Sequence, residues 1–185
     1  ILINDEIYWE PYSTGIRKNF IINGSLTITD NIVSGFDESN YIKMKSPFPS
    51  SIQSLDLVFK GFITSYSDDN ALIANNSDSE QYFGINTSGV FSIYNNGWIY
   101  GSNNISTNTW YWFRVVYDGS SWKGYTLEDN NYNKNNLPEL SSWRQEWSNS
   151  KGNWILSKTP NIGYNFAVGS ENWKGSLDFN NSYII

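Results

Sequence analysis

The chain has 185 residues and a formal net charge of −6, and it contains neither cysteine nor histidine. This composition excludes disulfides, thiolate and imidazole zinc sites, a Cys nucleophile and a Ser-His-Asp triad. The acidic balance argues against nucleic acid and anionic membranes as partners, because both require clusters of Lys and Arg. No apolar run reaches the 18 residues of a membrane span, so membrane insertion is not expected.

Aromatic residues make up 17% of the chain, and short apolar runs alternate with turn residues throughout. Residues 1–19 are expected to form an N-terminal lead-in strand or linker. In chain order, the runs predict strands at 7–9, 20–22, 26–29, 41–44, 55–60, 71–74, 82–85, 90–94, 98–100, 110–117 and 122–127. No stretch shows a convincing helical period with caps. We therefore predict an all-β protein, an antiparallel β-sandwich or jelly roll with little or no helix.

The strongest predicted strand, residues 110–117, is apolar on both faces. Alternation places Tyr111 and Phe113 on one face and Trp112 and Arg114 on the other. This pattern indicates a central strand with the sandwich core on one side. On the other side, Trp112 and Arg114 are expected to meet either a ligand or a loop.

Residues 128–160 form a long polar excursion that carries three tryptophans, Trp143, Trp147 and Trp154. A loop longer than about 15 residues in a compact domain is usually functional or disordered, and tryptophans argue against disorder. Packing of the rings onto the sandwich is the alternative, which we favour for Trp154. Because Trp143 and Trp147 are four residues apart, a single helical turn would place both rings on one side.

The C-terminal part of the chain carries a pattern typical of one fold family. The pattern consists of Asn161-Ile162-Gly163, then "WKGSLDF" at 173–179 and a final strand at 182–184, preceded by "TWYWFRV" at 109–115. These segments resemble the laminin-G-like and concanavalin A-like lectin/glucanase sandwiches. The Asn-rich style is most similar to modules of bacteriophage tail or structural proteins and of bacterial surface proteins. The resemblance implies a single sandwich module over residues 1–185, excised from a longer chain and located in a virion or on a cell surface.

Within this family, catalysis and metal binding have recognisable signatures. Its glucanases place two carboxylates about 5–5.5 Å apart, commonly from Glu-x-Asp-x-x-Glu on one strand. This sequence contains no such triplet, so we expect the protein not to be an enzyme. Relatives often hold a structural calcium, for which Asp37, Glu38 and Asp178 are weak candidates. We favour turn and strand hydrogen bonding for these carboxylates, and no other cofactor is expected.

The remaining function is binding, because flat aromatic rings stack on sugars while Asn, Asp, Arg and Tyr bond to hydroxyls. The Asn96-Gly97 turn places Trp98 and Tyr100 on one face, and the excursion is expected to deliver further rings beside them. The predicted carbohydrate-binding residues are Trp98, Tyr100, Trp112, Arg114, Trp143, Arg144 and Trp147. The predicted function is a non-catalytic adhesion or receptor-recognition module for a glycan or cell-surface polysaccharide. The alternative is a structural module whose aromatic surface docks onto neighbouring subunits.

Overall fold

The computed structural model describes residues 2–3, 6–9, 18–45, 47–48, 53–75, 81–95, 97–149 and 158–184. The strands are β1 Leu2–Ile3, β2 Glu6–Trp9, β3 Lys18–Asn23, β4 Thr27–Thr29, β5 Ile32–Ser34, β6 Tyr41–Met44, β7 Leu55–Ile63, β8 Asn70–Asn75, β9 Gln81–Ile85, β10 Phe91–Asn95, β11 Trp98–Ile99, β12 Tyr111–Tyr117, β13 Trp122–Glu128, β14 Arg144–Asn149, β15 Pro160–Ile162 and β16 Gly175–Ile184. Within the described ranges, helix is limited to a 3₁₀ turn at Leu140–Ser142. No helix in those ranges has the length and apolarity needed to cross a membrane.

The strands form two antiparallel sheets that pack face to face. Sheet A has the order β1-β2-β3-β6-β15-β8-β9-β10-β11, and sheet B has the order β14-β13-β12-β7-β16-β5-β4. Strands β1 and β2, which lie in the predicted lead-in segment at residues 1–19, extend one edge of sheet A beyond β3. The prediction of an all-β antiparallel sandwich is confirmed, and the architecture is consistent with a jelly roll.

The core between the sheets is filled by aromatic rings that alternate along the strands. Phe91 of sheet A lies 5.2 Å from Phe113 of sheet B, and Phe83 lies 5.4 Å from Trp122, measured between ring centroids. Trp173, which precedes β16, meets Phe113 edge to face at 5.7 Å. Because each side chain is removed from water, burial contributes roughly 2–3 kcal/mol per ring. The core therefore fixes which face of each strand points outward.

The strand predicted to be central, β12, lies inside sheet B between β7 and β13. Phe113 and Val115 face the core, as alternation predicts, and both are fully buried. Trp112 points to the opposite face of sheet B and is nevertheless 0% exposed. The outer face of this sheet is therefore also covered.

The long excursion between β13 and β15 is partly strand. Arg144–Asn149 pairs with β13 and becomes the edge of sheet B, although its polar sequence gave no strand signal. The predicted helical turn through Trp143 and Trp147 is therefore wrong, because the 3₁₀ turn ends at Ser142, Trp143 is extended and Trp147 lies in β14. Trp154, for which we favoured packing onto the sandwich, lies outside the described residues.

Candidate functional site

Trp112 lies under a segment of the excursion, residues 129–143, rather than on an open surface. Its indole Nε1 donates a 2.8 Å hydrogen bond to Asp129 Oδ1. The Nζ of Lys60 lies 2.8 Å from the other oxygen of Asp129 and 5.1 Å from the Trp112 ring centroid, and it also donates to the carbonyl of Tyr132. This ion pair and the ring contact hold the start of the segment against sheet B.

Arg114 and Trp143 belong to the same covered face. Arg114 forms a two-point ion pair with Asp56, and its guanidinium carbon lies 5.7 Å from the Trp143 ring centroid. Trp143 is 6% exposed and donates its indole N–H to the carbonyl of Pro138. Of the two partners expected for Trp112 and Arg114, a ligand or a loop, the structure shows the loop. The expectation of an open sugar surface at Trp112, Arg114 and Trp143 is corrected accordingly.

Trp147 lies on the opposite side of sheet B from Trp143. Its ring stacks on Phe83 of sheet A at 5.7 Å with an interplanar angle of 4°, and it is 3% exposed. Gly124 of the neighbouring strand lies directly against this ring, since a Cβ there would come 2.1 Å from an indole carbon. Trp147 is therefore a core residue, which corrects its expected place beside Trp98 and Tyr100.

An aromatic platform lies on the outer face of sheet A at its β11 edge. We use this name for Tyr82, Tyr94, Trp98 and Tyr100. Tyr94 pairs with Trp98 across the hairpin, which places both side chains on the face opposite Ile93 and the core. Trp98 stacks on Tyr100 at 5.6 Å and 14° and meets the edges of Tyr82 and Tyr94 at 5.6 and 5.2 Å. Tyr100, at 58% exposure, presents this stack to solvent.

Asp69 anchors the inner end of the platform. Its Oδ2 accepts from the Tyr82 hydroxyl at 3.3 Å, and its Oδ1 accepts from the backbone N–H of Thr87 at 2.7 Å. Burial raises the pKa of Asp69, and the two hydrogen bonds oppose that rise because they favour the carboxylate. Small residues, Ala71 and Ala74, pack against the Tyr82 ring. The Tyr82 end of the platform is therefore anchored by Asp69.

Glu146 joins the platform edge of sheet A to the β14 edge of sheet B. Its Oε2 accepts the backbone N–H groups of Ser102 and Asn103 at 3.1 and 3.2 Å, and the Ser102 hydroxyl at 3.4 Å. Its Oε1 accepts from the Thr126 hydroxyl at 2.5 Å and from Arg144 Nε at 2.6 Å. The Glu146 side chain is completely buried, whereas that of Arg144 is 43% exposed. We call this arrangement of five donors around one carboxylate the Glu146 clasp.

Three of the seven predicted site residues remain on this side of the sandwich: Trp98 and Tyr100 in the platform, and Arg144 in the clasp. Ser102 directly follows Tyr100 and Gly101 in the chain, so its bond to Glu146 places Arg144 on the Tyr100 side of the sandwich. Sequence reasoning missed the polar residues of this edge, Ser102, Asn103 and Glu146, and it also missed Tyr94. Tyr94 could have been found from the hairpin register, because it lies opposite Trp98 across a tight turn. No local pattern links Glu146 to residues more than forty positions earlier.

Two of the three weak calcium candidates, Asp37 and Asp178, use their carboxylates in local hydrogen bonds. Asp37 Oδ1 accepts the backbone N–H groups of Ser39 and Asn40 at 2.7 and 2.8 Å, and Oδ2 accepts the Asn40 amide. Hydrogen bonding from the Asn40 side chain, together with that from Ser39, lowers the pKa of Asp37. Asp178 lies within β16 at a register irregularity, where it accepts two backbone N–H groups and a side-chain amide. Within the described ranges Glu38 forms no hydrogen bond or ion pair, and no group of three metal-binding side chains occurs there.

Comparison with known proteins finds similarity in structure only. No protein-family model matches the sequence, and no curated protein matches it. Domain 4 of AbnA, a GH43 extracellular arabinanase from Geobacillus stearothermophilus solved in complex with arabinotriose, is 13% identical with a TM-score of 0.59, over 88% of this chain and 79% of that chain. HCR/D-Sa-GBL1/C is 13% identical with a TM-score of 0.56, over 98% of this chain and 48% of that chain. At this identity the likeness establishes the fold class, an antiparallel β-sandwich module, and the chain spans about half the length of the second neighbour.

Proposed function

We propose that this protein is a non-catalytic carbohydrate-binding module whose ligand lies on the aromatic platform. One observation carries the proposal: Tyr100 is 58% exposed yet held in a fixed stack on Trp98. A half-exposed ring that is already immobilised can stack on the apolar CH face of a sugar with little further loss of conformational entropy. Ser102, Asn103 and Arg144 supply hydrogen-bonding groups at the same edge.

Two further observations support a glycan as the partner. The sandwich of domain 4 of AbnA, which has the same fold, was solved in complex with arabinotriose. The chain's net charge of −6 suits a neutral or amino-bearing glycan better than one rich in phosphate. We place the module at an exposed, extracellular or virion surface, in adhesion or receptor recognition. The bacteriophage setting and the laminin-G-like or concanavalin A-like family label follow from the sequence resemblance alone.

Replacing Tyr100 with Ala is expected to weaken glycan binding about tenfold, because a stacked ring contributes on the order of 1–2 kcal/mol. Thermal stability should be nearly unchanged, since the Tyr100 ring is mostly in solvent. Binding is measured by calorimetry with arabinotriose and with a panel of neutral oligosaccharides. The matched control is Phe166→Ala, which removes another exposed ring, 47% accessible, from the loop between β15 and β16.

The outcome separates this proposal from the alternative structural module. Equal weakening by Tyr100→Ala and Phe166→Ala, or no binding to any glycan in an array, would count against a sugar platform. If glycans fail to bind and the purified protein instead self-associates in a manner that Tyr100→Ala abolishes, the exposed rings form a subunit interface.

The proposal that the protein is not an enzyme is supported by two carboxylates near the platform that are already engaged in hydrogen bonds. Glu146 is fully buried and accepts from five donors, so it is not available to a substrate. Asp69 is occupied by Tyr82 and Thr87. We expect no release of reducing sugar from polysaccharides that the protein binds. Release that disappears when a single Asp or Glu is replaced would contradict this expectation.

A further inference from the structure

Arg144 differs from Arg114, the other arginine that the structure describes, in what its guanidinium can still bind. Arg114 is bonded through Nε and Nη2 to Asp56, and its side chain is 19% exposed. Arg144 keeps 43% of its side chain exposed, while Nε donates to Glu146 and Nη2 donates to the Thr126 hydroxyl at 3.2 Å. Its guanidinium is therefore fixed at two points, and Nη1 has no hydrogen-bond acceptor among the described residues.

The Glu146 clasp sets Arg144 in a fixed relation to the platform. Glu146 Oε2 accepts the N–H of Ser102, and a Cβ placed on Gly101 would lie 3.2 Å from the same oxygen. Gly101 directly follows Tyr100 in the chain. One buried carboxylate therefore contacts both Arg144 and the strand end that carries Tyr100. A ligand of two or three sugar rings stacked on Tyr100 can extend over Ser102 to Arg144.

The charges at this edge determine which sugars it favours. The carboxylate of Glu146, 2.6 Å from Arg144 Nε, offsets the charge of the guanidinium without occupying all of its N–H groups. An anionic sugar at Nη1 would be attracted by Arg144 and repelled by Glu146, in a protein of net charge −6. Sugar hydroxyl oxygens accept the same hydrogen bonds without adding a charge, and adjacent hydroxyls match the planar fork of the guanidinium.

We infer that Arg144 is a specificity-determining, ligand-contacting residue and that this edge binds neutral oligosaccharides with vicinal hydroxyls in preference to uronic acids. The inference rests on the proposed function, since it assigns a ligand class to that same site. Glu146 acts as a positioning residue, because it reaches the ligand only through Arg144 and the backbone of residues 101–103.

The first test uses probes that differ only in the oxidation state of C6. These are β-1,4-mannotriose against β-1,4-trimannuronate, and α-1,4-galactotriose against α-1,4-trigalacturonate. The protein is expected to bind at least one neutral member about tenfold more tightly than its uronate counterpart. Its affinity should change little between about 50 and 200 mM salt, because no net charge pair forms on binding.

The second test changes the guanidinium. Arg144→Lys keeps a positive charge beside Glu146 but removes the planar fork, and Arg144→Met removes both. Each is expected to weaken binding of the neutral probe about tenfold, and Arg144→Lys should also bring the neutral-to-uronate selectivity ratio towards one. Arg114→Lys is the matched control, since Arg114 lies under residues 129–143, and it should leave both affinity and selectivity unchanged. Thermal unfolding of each variant identifies any loss that is due to misfolding.

The outcomes distinguish the inference from the function on which it rests. Binding that requires Tyr100 but is unaffected by Arg144→Lys and Arg144→Met, or that favours uronates, overturns the inference and leaves the proposed function in place. Failure to bind any probe in the panel overturns both. If the Arg144 variants do not fold, the selectivity of the unmodified protein between matched probes still decides the ligand class.

Discussion

Glu146→Ala is expected to lower the free energy of unfolding by roughly 3–5 kcal/mol, because it removes the shared acceptor of five donors and each buried donor left unpaired costs about 1–3 kcal/mol. The side chain is completely buried and accepts from five donors, two of which are backbone N–H groups in the loop that follows β11 of the opposite sheet. The substitution leaves these donors without their acceptor in a region that water enters poorly. For a protein of this size the melting temperature should fall by about 6–20 °C.

Chemical denaturation and calorimetry of the two proteins measure this effect. Glu146→Gln keeps the shape but turns one carboxylate oxygen into an N–H donor that faces other donors, so it should also destabilise substantially. Glu139→Ala, which removes an exposed carboxyl just before the 3₁₀ turn, is the matched control and should change stability by less than about 0.5 kcal/mol. A cost below about 1 kcal/mol for Glu146→Ala would show that the two sheet edges are not held together by this carboxylate.

The fold class could be predicted from the sequence, because the alternation of side chains along a strand determines which of them face the core. In β12, the faces assigned to Phe113 and Trp112 are those found in the structure. The hairpin also behaved as expected, with Trp98 and Tyr100 stacked on one side of it. Strand positions with a period of two are local information, so a single sequence suffices to place them.

The candidate site could be predicted only in part, because its remaining members depend on contacts between distant segments. The strand Arg144–Asn149 has a polar sequence whose apolar member, Trp147, is buried by Phe83 of the other sheet. Nothing near residue 144 indicates that residues 129–143 cover Trp112, since that cover depends on the Lys60–Asp129 ion pair. The polar sequence around Trp143 and Trp147 predicts exposed rings. Both rings are buried in the structure, so that prediction is wrong.

Trp147 is expected to be required for stability rather than for binding. Trp147→Ala should cost roughly 3–5 kcal/mol, as truncation of a buried tryptophan does. The ring is 3% exposed and lies between Phe83 and the backbone of Gly124. At a temperature where the variant is folded, its glycan affinity should match that of the unmodified protein. Weakened binding with unchanged stability would instead return Trp147 to the ligand surface.

Gly124→Ala is expected to be destabilising only while the Trp147 ring is present. An added Cβ would lie 2.1–2.5 Å from three atoms of the indole, so the ring or the strand must shift, at a cost of about 1–3 kcal/mol. In a Trp147→Ala background that space is empty, and Ala is the better strand residue because Gly loses more conformational entropy on folding. A double-mutant cycle followed by denaturant unfolding should therefore give a coupling of more than about 1 kcal/mol.

Gly169→Ala is the control, because its Cβ would make only an ordinary contact of 3.7 Å with Glu38. Equal costs of Gly124→Ala in both backgrounds would mean that the Trp147 ring does not rest on this glycine in solution.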